Sequence, residues 1–433
     1  MSGSGPLNIC MVTTFYPPYH RGGDGVFVYR LSEALSERGH RVDVVHSVDA
    51  YRLQRPAEPA LTFSHHPRIT RYPLESPRPL LSALAAHQLG RPGFYASRLM
   101  RLFEERRYDV IHYHNVSLLG GPAVLRLGQA IKLYTTHEYW LICPTHVLFA
   151  FNRKACTRRR CLACTLSYGR PPQGWRYSGA LARSLAHVDA LLVPSQFAIE
   201  QHSAIGVDRP MIHLPHFVGE VAPARAPGGP PAEPFFLYAG RLEKLKGVQD
   251  LIELFRDYRA ARLLIAGDGT YRRHLQDQSR GLDHVRFLGP LHPSALIELY
   301  RSALAVLVPS LCYETFGLTA AEALAQGTPA IVRRIGALPE IVDSSGAGFT
   351  FESLRQCREA LERIRLDPGL RASLGERGRA AAERWWSAEA HLKRYLQIIE
   401  DRLARGSSGR QGALGALGSL GEPAAKTDSV RGY

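Results

Sequence analysis

Short runs of consecutive apolar residues alternate along the chain with stretches in which apolar positions recur every three or four residues. The run LNICMVTTFY (7–16) reads as a buried strand. The next stretch, VFVYRLSEALSERGH (26–40), places Val28, Leu31 and Leu35 on one face and Gly39 near its end, the pattern of an amphipathic helix. RVDVVHS (41–47), DVIHYHN (109–115), KLYTTH (132–137), ALLVPS (190–195) and MIHLPH (211–216) read as further strands. Strands that alternate with helices predict a parallel, doubly wound sheet.

The pattern stops at EVAPARAPGGPPAEP (220–234), a Pro-, Gly- and Ala-rich linker without apolar periodicity, and then restarts. FFLYAGRL, RLLIAGDG, VRFLGP, LAVLVPS and TPAIVRR are strand-like, and GVQDLIELFRDYRA (247–260) is helical. A last helix is expected over 384–404 and a disordered Gly/Ser/Ala-rich tail over 405–433. The expected organisation is therefore α/β, with two Rossmann-like doubly wound domains, 1–219 and 235–383, facing across a cleft. At 433 residues the chain exceeds one ordinary core and suits two. Open α/β sheets bind ligands outside the carboxyl ends of their strands, so the cleft is the expected site.

Composition adds constraints. With 45% apolar and 21% charged residues the chain reads as globular. There is no apolar run of about 18–20 residues and no secretory pattern at the start, so a cytoplasmic protein, soluble or peripheral to the membrane, is expected. The net charge is +15, of which residues 1–230 carry +11. That bias suggests anionic partners such as phosphates or a membrane surface, or else a solvated arginine-rich exterior. No zinc-finger, ribonucleoprotein or basic-helix signature is present, so nucleic acid is not expected.

Three local signals carry chemistry. In YETFGLTAAEALAQG (313–327), Glu314 and Glu322 would stand about 12 Å apart on one helix, too far for an acid/base pair of glycosidase type. Gly317 marks a helix start, leaving Glu314 in the loop before it and Glu322 on it. The two could straddle a hydroxyl-rich ligand, or simply be solvated. In AGRLEKLKG (239–247), Arg241 and Lys246 lie where a strand gives way to a helix, a setting for a diphosphate or for plain surface charge. RGGDG (21–25) follows the first strand and lets backbone approach a ligand closely, but it is not the dinucleotide fingerprint.

Together these motifs, with DVIHYHN, TTHEYW and VPS, resemble retaining glycosyltransferase family 4, of GT-B architecture, over about residues 7–400. The resemblance implies roles. Arg241 and Lys246 would hold the diphosphate of a nucleotide-sugar, Glu322 its ribose, and Glu314 the sugar hydroxyls, with the amides of Phe316, Gly317 and Leu318 nearby. Gly22, Gly23 and Asp24 would close over the phosphate from the other domain. His137 would lie beside the donor sugar, although strand-end histidines such as His112, His114 and His137 are commonly just packed. The acceptor, a glycan or lipid-linked molecule, would reach the N-terminal domain. No Asp-x-Asp occurs, so no cofactor is expected for catalysis and the two cations would neutralise the leaving diphosphate. A sugar-nucleotide epimerase and a non-catalytic sugar-nucleotide-binding subunit are the alternative readings.

Two features stand apart. Cys143, Cys156, Cys161 and Cys164, in the loop 143–164, have a spacing that could close a structural zinc site or leave four reduced thiols. SRLMRLFEERRYD carries Arg98, Arg101, Arg106 and Arg107 around Leu99, Leu102 and Phe103. It could rest on an anionic membrane surface or pack on the first sheet.

Overall fold

The computed structural model describes residues 5–20, 22–54, 59, 62–223 and 233–417, with side chains to 404. Most of the expected linker and the end of the expected tail lie outside the described residues. The first half contains strands β1 (Asn8–Val12), β2 (Arg41–Ser47), β3 (Ile69–Leu74), β4 (Val110–Tyr113), β5 (Ile131–Thr135), β6 (Phe149–Ala150), β7 (Lys154–Ala155), β8 (Ala190–Val193) and β9 (Met211–His213). Seven of them form one parallel sheet in the order β3-β2-β1-β4-β5-β8-β9, and β6 and β7 pair as a small antiparallel ribbon. The second half contains β10 (Phe235–Ala239), β11 (Arg262–Ala266), β12 (Val285–Gly289), β13 (Val306–Val308), β14 (Ala330–Arg333) and β15 (Gly348–Phe351). These form a parallel sheet in the order β12-β11-β10-β13-β14-β15. In each sheet the order reverses beside its first strand, and that switch point is where a crevice opens.

The unbroken apolar runs follow from burial on both faces. Along β1, Ile9 and Met11 face Phe27, Val28, Leu31 and Leu35 of the helix Gly23–Glu37, together with Leu392, Tyr395 and Ile399 of the last helix. Cys10 and Val12 face the opposite way, towards Leu99, Phe103 and Tyr113. Along β10, Phe236 and Tyr238 point into one cluster while Phe235, Leu237 and Ala239 point into another.

Two elements depart from the expectation, and one choice that the sequence left open is decided. β3, ITRYPL, was not expected; it is an edge strand with Pro73 and exposed Thr70 and Arg71, so its apolar signal is weak. The last helix runs Ala388–Leu417, past the expected end at 404, after a π-helical turn over Ala382–Trp386. It crosses back to the first half, where Tyr395 Oη bonds His112 Nδ1 at 3.0 Å and Arg402 Nη1 donates to Asp189 O at 2.8 Å. Finally, in the helix Ala96–Glu105, Leu99, Leu102 and Phe103 are buried in the first-half core. Burial of each such side chain contributes about 1.5–3 kcal/mol, so this apolar face stays on the sheet and does not turn to a bilayer.

Candidate active site

The switch points of the two sheets face each other. From β10 the chain leaves through Gly240 and Arg241, makes a tight turn over Lys244–Lys246, and starts the helix Val248–Asp257 at Gly247. Gly247 has φ 76°, and a Cβ there would sit on the carbonyl oxygen of Pro309 beyond β13. The GDG step plays the same part: a Cβ on Gly267, at φ 132°, would sit on Gly240 O. These glycines thus let two strand-end loops nest and aim the cations between them. Gly247→Val is expected to destabilise the fold by at least about 1 kcal/mol, read as a lower urea midpoint.

From β13 the chain passes Ser310 and Glu314 and enters the helix Leu318–Ala325 at Gly317, φ 106°. The expected placement of the two glutamates holds: Glu314 is in the loop and Glu322 on the helix. Lys246 Nζ and Ser310 Oγ both donate to Glu314 Oε1 at 2.6 Å. Burial pushes the Glu314 carboxyl up, but Lys246, Ser310 and Arg241 outweigh it and hold it below its ordinary range. Arg241 is exposed and makes no ion pair among the described residues, yet its charge reaches Asp24, Glu138 and Glu314. The arrangement is a free guanidinium beside a lysine already neutralising a carboxylate. The first-turn amides of the helix Leu318–Ala325 lack intrahelical acceptors and stand beside that pair. The Phe316 side chain is buried, 5.5 Å from the His216 ring and 6.3 Å from Trp386, so it is a packing group and not a ligand contact.

The first half supplies the opposite wall. Gly23 starts its helix so close to the other half that a Cβ on it would meet Leu318 Cδ2 at 3.3 Å. Asp24 accepts from Asn115 Nδ2 at 3.4 Å; burial and then Glu138 raise its carboxyl. Thr315 Oγ1 donates to His137 O at 2.9 Å, and Tyr139 Oη to Glu314 O at 3.2 Å. Arg30 Nη1 pairs with Glu322 Oε1 at 2.9 Å, and Tyr300 Oη reaches Oε2 at 3.4 Å. Gly22, Gly23, Asp24, His137, Arg241, Lys246, Glu314, Phe316, Gly317, Leu318 and Glu322 therefore all border one interface between the two sheets.

His137 is not a free imidazole. Its Nε2 bonds His114 Nδ1 at 2.9 Å and its Nδ1 bonds His216 Nε2 at 3.2 Å. Burial lowers its pKa to about 3, so the ring is neutral. With both ring nitrogens engaged, what His137 presents towards the second half is its backbone carbonyl and ring edge. It is suited to shaping the site rather than to exchanging a proton.

The residues missed from sequence are Arg30, Glu138, His146 and Ser310. Arg30 lies two turns from Gly23 on the same helical face, a spacing that would have flagged it. Glu138 pairs with His146 at 2.8 Å. Burial pushes Glu138 up, but His146, Arg241 and His137 hold it below its usual range. Nothing in the sequence pairs Glu138 with His146 across the intervening loop.

All four loop cysteines are free thiols, Cys143 buried and the others half-buried. Burial first, then the charges of Cys143, Cys161 and Cys164, raises the Cys156 thiol, so the four share one region. Among the described residues, no group of three or more His, Cys, Asp or Glu side chains is gathered to hold a metal ion.

Two family models match the chain: "Glycosyl transferase 4-like domain" over residues 22–216 and "Glycosyl transferases group 1" over 224–381. A glycogen synthase of Mycobacterium tuberculosis is 31% identical over 416 residues, spanning 87% of this chain and 90% of that protein. The chain is a group 1 glycosyltransferase of family 4 type. The same glycosyltransferase is 28% identical to a D-inositol 3-phosphate glycosyltransferase of Saccharomonospora viridis, over 84% of this chain and 86% of that one. Its GT-B fold is that of sucrose-phosphate synthase from Thermosynechococcus elongatus, TM-score 0.68 at 20% identity, covering 92% of this chain and all of that one. It also matches Anabaena HepE in complex with UDP, TM-score 0.61 at 15% identity, over 93% and 100% of the two chains.

Proposed function

We propose that this glycosyltransferase moves a sugar, with retention, from a nucleoside diphosphate sugar to a hydroxyl of a glycan or lipid-linked acceptor. The observation that carries the reading is the convergence of Arg241, Lys246 and Glu314 opposite Gly23 and Asp24. As the glycosidic bond breaks, negative charge builds on the departing diphosphate. Arg241 and Lys246 sit where such charge would be met, and fixed charges of this kind stabilise a transition state by several kcal/mol. Lys246 would then share itself between Glu314 and a phosphate oxygen, and Glu314 would turn its second oxygen to sugar hydroxyls. Glu322 would exchange Arg30 for the ribose hydroxyls. The first-turn amides of the helix Leu318–Ala325 favour an anion.

In the proposed step the acceptor oxygen bonds the anomeric carbon on the face from which the diphosphate leaves. The leaving phosphate oxygen takes the acceptor's proton. None of the cleft residues is proposed as a covalent nucleophile, and His137 has no free ring nitrogen to act as base. The family assignment and the complete donor-side set favour transfer over an epimerase or a non-catalytic subunit. The crystal of a fold neighbour with UDP makes uracil the first base to try. A thermal-shift screen of UDP-, GDP-, ADP- and CMP-sugars tests the donor reading, since a bound ligand stabilises by mass action. One nucleotide class should raise the melting temperature, and no shift from any would sink the reading.

Two parts of the proposal have tests of their own. Without an Asp-x-Asp, brief EDTA treatment is expected to leave turnover intact. Loss of activity restored by magnesium or manganese would contradict the cation-only cradle. A structural zinc on Cys143, Cys156, Cys161 and Cys164 rests on their spacing in the sequence alone, since no three of them are gathered as ligands among the described residues. About one zinc per chain by elemental analysis would support it, and a zinc-free active preparation would overturn it.

The acceptor would be met at an anionic membrane surface, in keeping with the +11 charge of residues 1–230. Among the described residues no helix is long and apolar enough to cross a membrane.

A further inference from the structure

A cavity of about 340 Å³ opens in the first half between the turn Ala85–Leu89, the turn Gly121–Arg126 and the helix Ala180–Leu185. Its floor is Gly90, Pro122 and Trp175. Gly90 has φ 68°, and a Cβ there would meet both Pro122 and Trp175 at 2.9 Å. The floor is pinned: Ala123 N–H donates to Gly90 O at 3.0 Å and Trp175 Nε1 to His87 O at 2.9 Å. Arg91, Arg126 and Arg183 line the cavity, and no carboxylate does.

These arginines are not neutralised by the protein. None of the three is in an ion pair among the described residues, whereas Arg301, Arg333 and Arg365 of the second half each have a carboxylate partner. Arg91, Arg126 and Arg183 are exposed around a recess lined by no acid, and the guanidinium fork matches phosphate oxygens. The rim is apolar. Leu89 lines the cavity and is 65% exposed; Leu80 is 60% exposed and Phe94 50%, and Leu81, Leu84 and Met100 are exposed as well. Single exposed leucines are ordinary, but six large apolar side chains within residues 80–100, in segments packed on one another, form a patch.

We propose that this cavity binds the phosphate of an anionic phospholipid while the residues 80–100 rim sits in the bilayer interface. The inference rests on the membrane-surface reading of the acceptor and gives it a site. A soluble phosphate compound would use the same arginines but leave the rim without a use. A bilayer uses both, since apolar side chains enter the interface beside cations that hold the headgroups. The site shares no lining residue with the cleft.

The test is co-sedimentation of the full chain with phosphatidylglycerol or phosphatidylcholine vesicles at low salt. Wild type should bind only the former. The triple variant Arg91→Gln, Arg126→Gln, Arg183→Gln should lose on the order of 100-fold in partitioning, about fivefold per arginine. Arg98→Gln, Arg101→Gln, Arg106→Gln removes the same charge outside the cavity and should lose clearly less. Leu80→Ser with Leu89→Ser should weaken binding while leaving the arginines in place. Nucleotide-sugar thermal shifts should be unchanged in all three variants, which shows they are folded and reads the donor site separately. Equal losses from the two arginine triples would overturn the site in favour of a diffuse basic field. So would no sedimentation of wild type with anionic vesicles. Binding of free glycerol phosphate that is lost in the cavity triple, with vesicle binding unaffected, would assign the cavity to a soluble phosphate and overturn the bilayer.

Discussion

Arg241→Ala is expected to lower sugar-transfer turnover roughly 10²–10³-fold, the range for removing one preorganised charge-stabilising group. The fold should be left intact. Arg241 is exposed and holds no ion pair among the described residues, so its loss removes only a longer-range charge from Asp24, Glu138 and Glu314. Lys246→Ala should cost turnover to a similar extent but also disturb the empty enzyme. Its Nζ is one of two donors on Glu314 Oε1 at 2.6 Å, and without it a half-buried carboxylate is left to Ser310 and the charge of Arg241. Removing one partner of a largely desolvated pair costs more than losing an exposed one. The two variants therefore separate: kcat falls in both, and the urea midpoint falls mainly in Lys246→Ala. Near-wild-type turnover by either folded variant would remove that residue from the donor cradle.

That the placement of Arg241 and Lys246 on one strand-to-helix loop was legible in the sequence has a physical reason. A diphosphate needs cations on a loop fixed by a strand before it and a helix after it, and AGRLEKLKG writes strand, cation, turn, cation and helix in nine consecutive residues. The Glu314 and Glu322 spacing was readable for the same reason, because Gly317 marks the helix start between them. What was not legible is what crosses between the halves. Arg30 on Glu322, Thr315 on the His137 carbonyl, and Glu340 accepting from the Gln196 and Phe197 amides join residues 143 to 292 positions apart. Local pattern carries no record of such pairs. The helix Ala96–Glu105 shows the limit from the other side. Its basic and apolar residues suit a membrane surface and a core-packed helix equally, and only the neighbouring β4 and the turn Gly93–Tyr95 decide for the core. The exposed apolar residues instead fall mostly just upstream, where no helical periodicity drew attention to them.

Mild acid is expected to unfold the protein well before it titrates the cleft. Burial holds His46 and His137 down to about 3 and His87 and His391 to about 4, and it takes His112, His114 and His216 well below the ordinary value of 6.5. All are neutral in the folded chain, while in the unfolded chain each takes a proton near pH 6.5. The unfolded state therefore binds more protons between about pH 6.5 and 3. Stability is complete above that window and is lost as pH falls through it, by up to about 1.4 kcal/mol per histidine for each pH unit. Near pH 5.5 fully buried His46 and His391 cost about 1.4 kcal/mol each, and half-buried His87 and His137 less, against a typical total of about 5–15 kcal/mol. Glu314 and Glu138, held below the usual carboxylate range, act in the same direction only at still lower pH. Asp24, raised by burial, opposes them but is a single group. A urea series should thus give a midpoint that is flat above about pH 7 and falls steeply below 6.5. The acid limb of activity should track that fall, because the His114–His137–His216 chain leaves no ring nitrogen of His137 free to act as a titrating base. A midpoint unchanged from pH 7.5 to 5.5 would overturn the burial account of these histidines, and an activity that titrates away while the fold persists would show a titrating group in the working cleft.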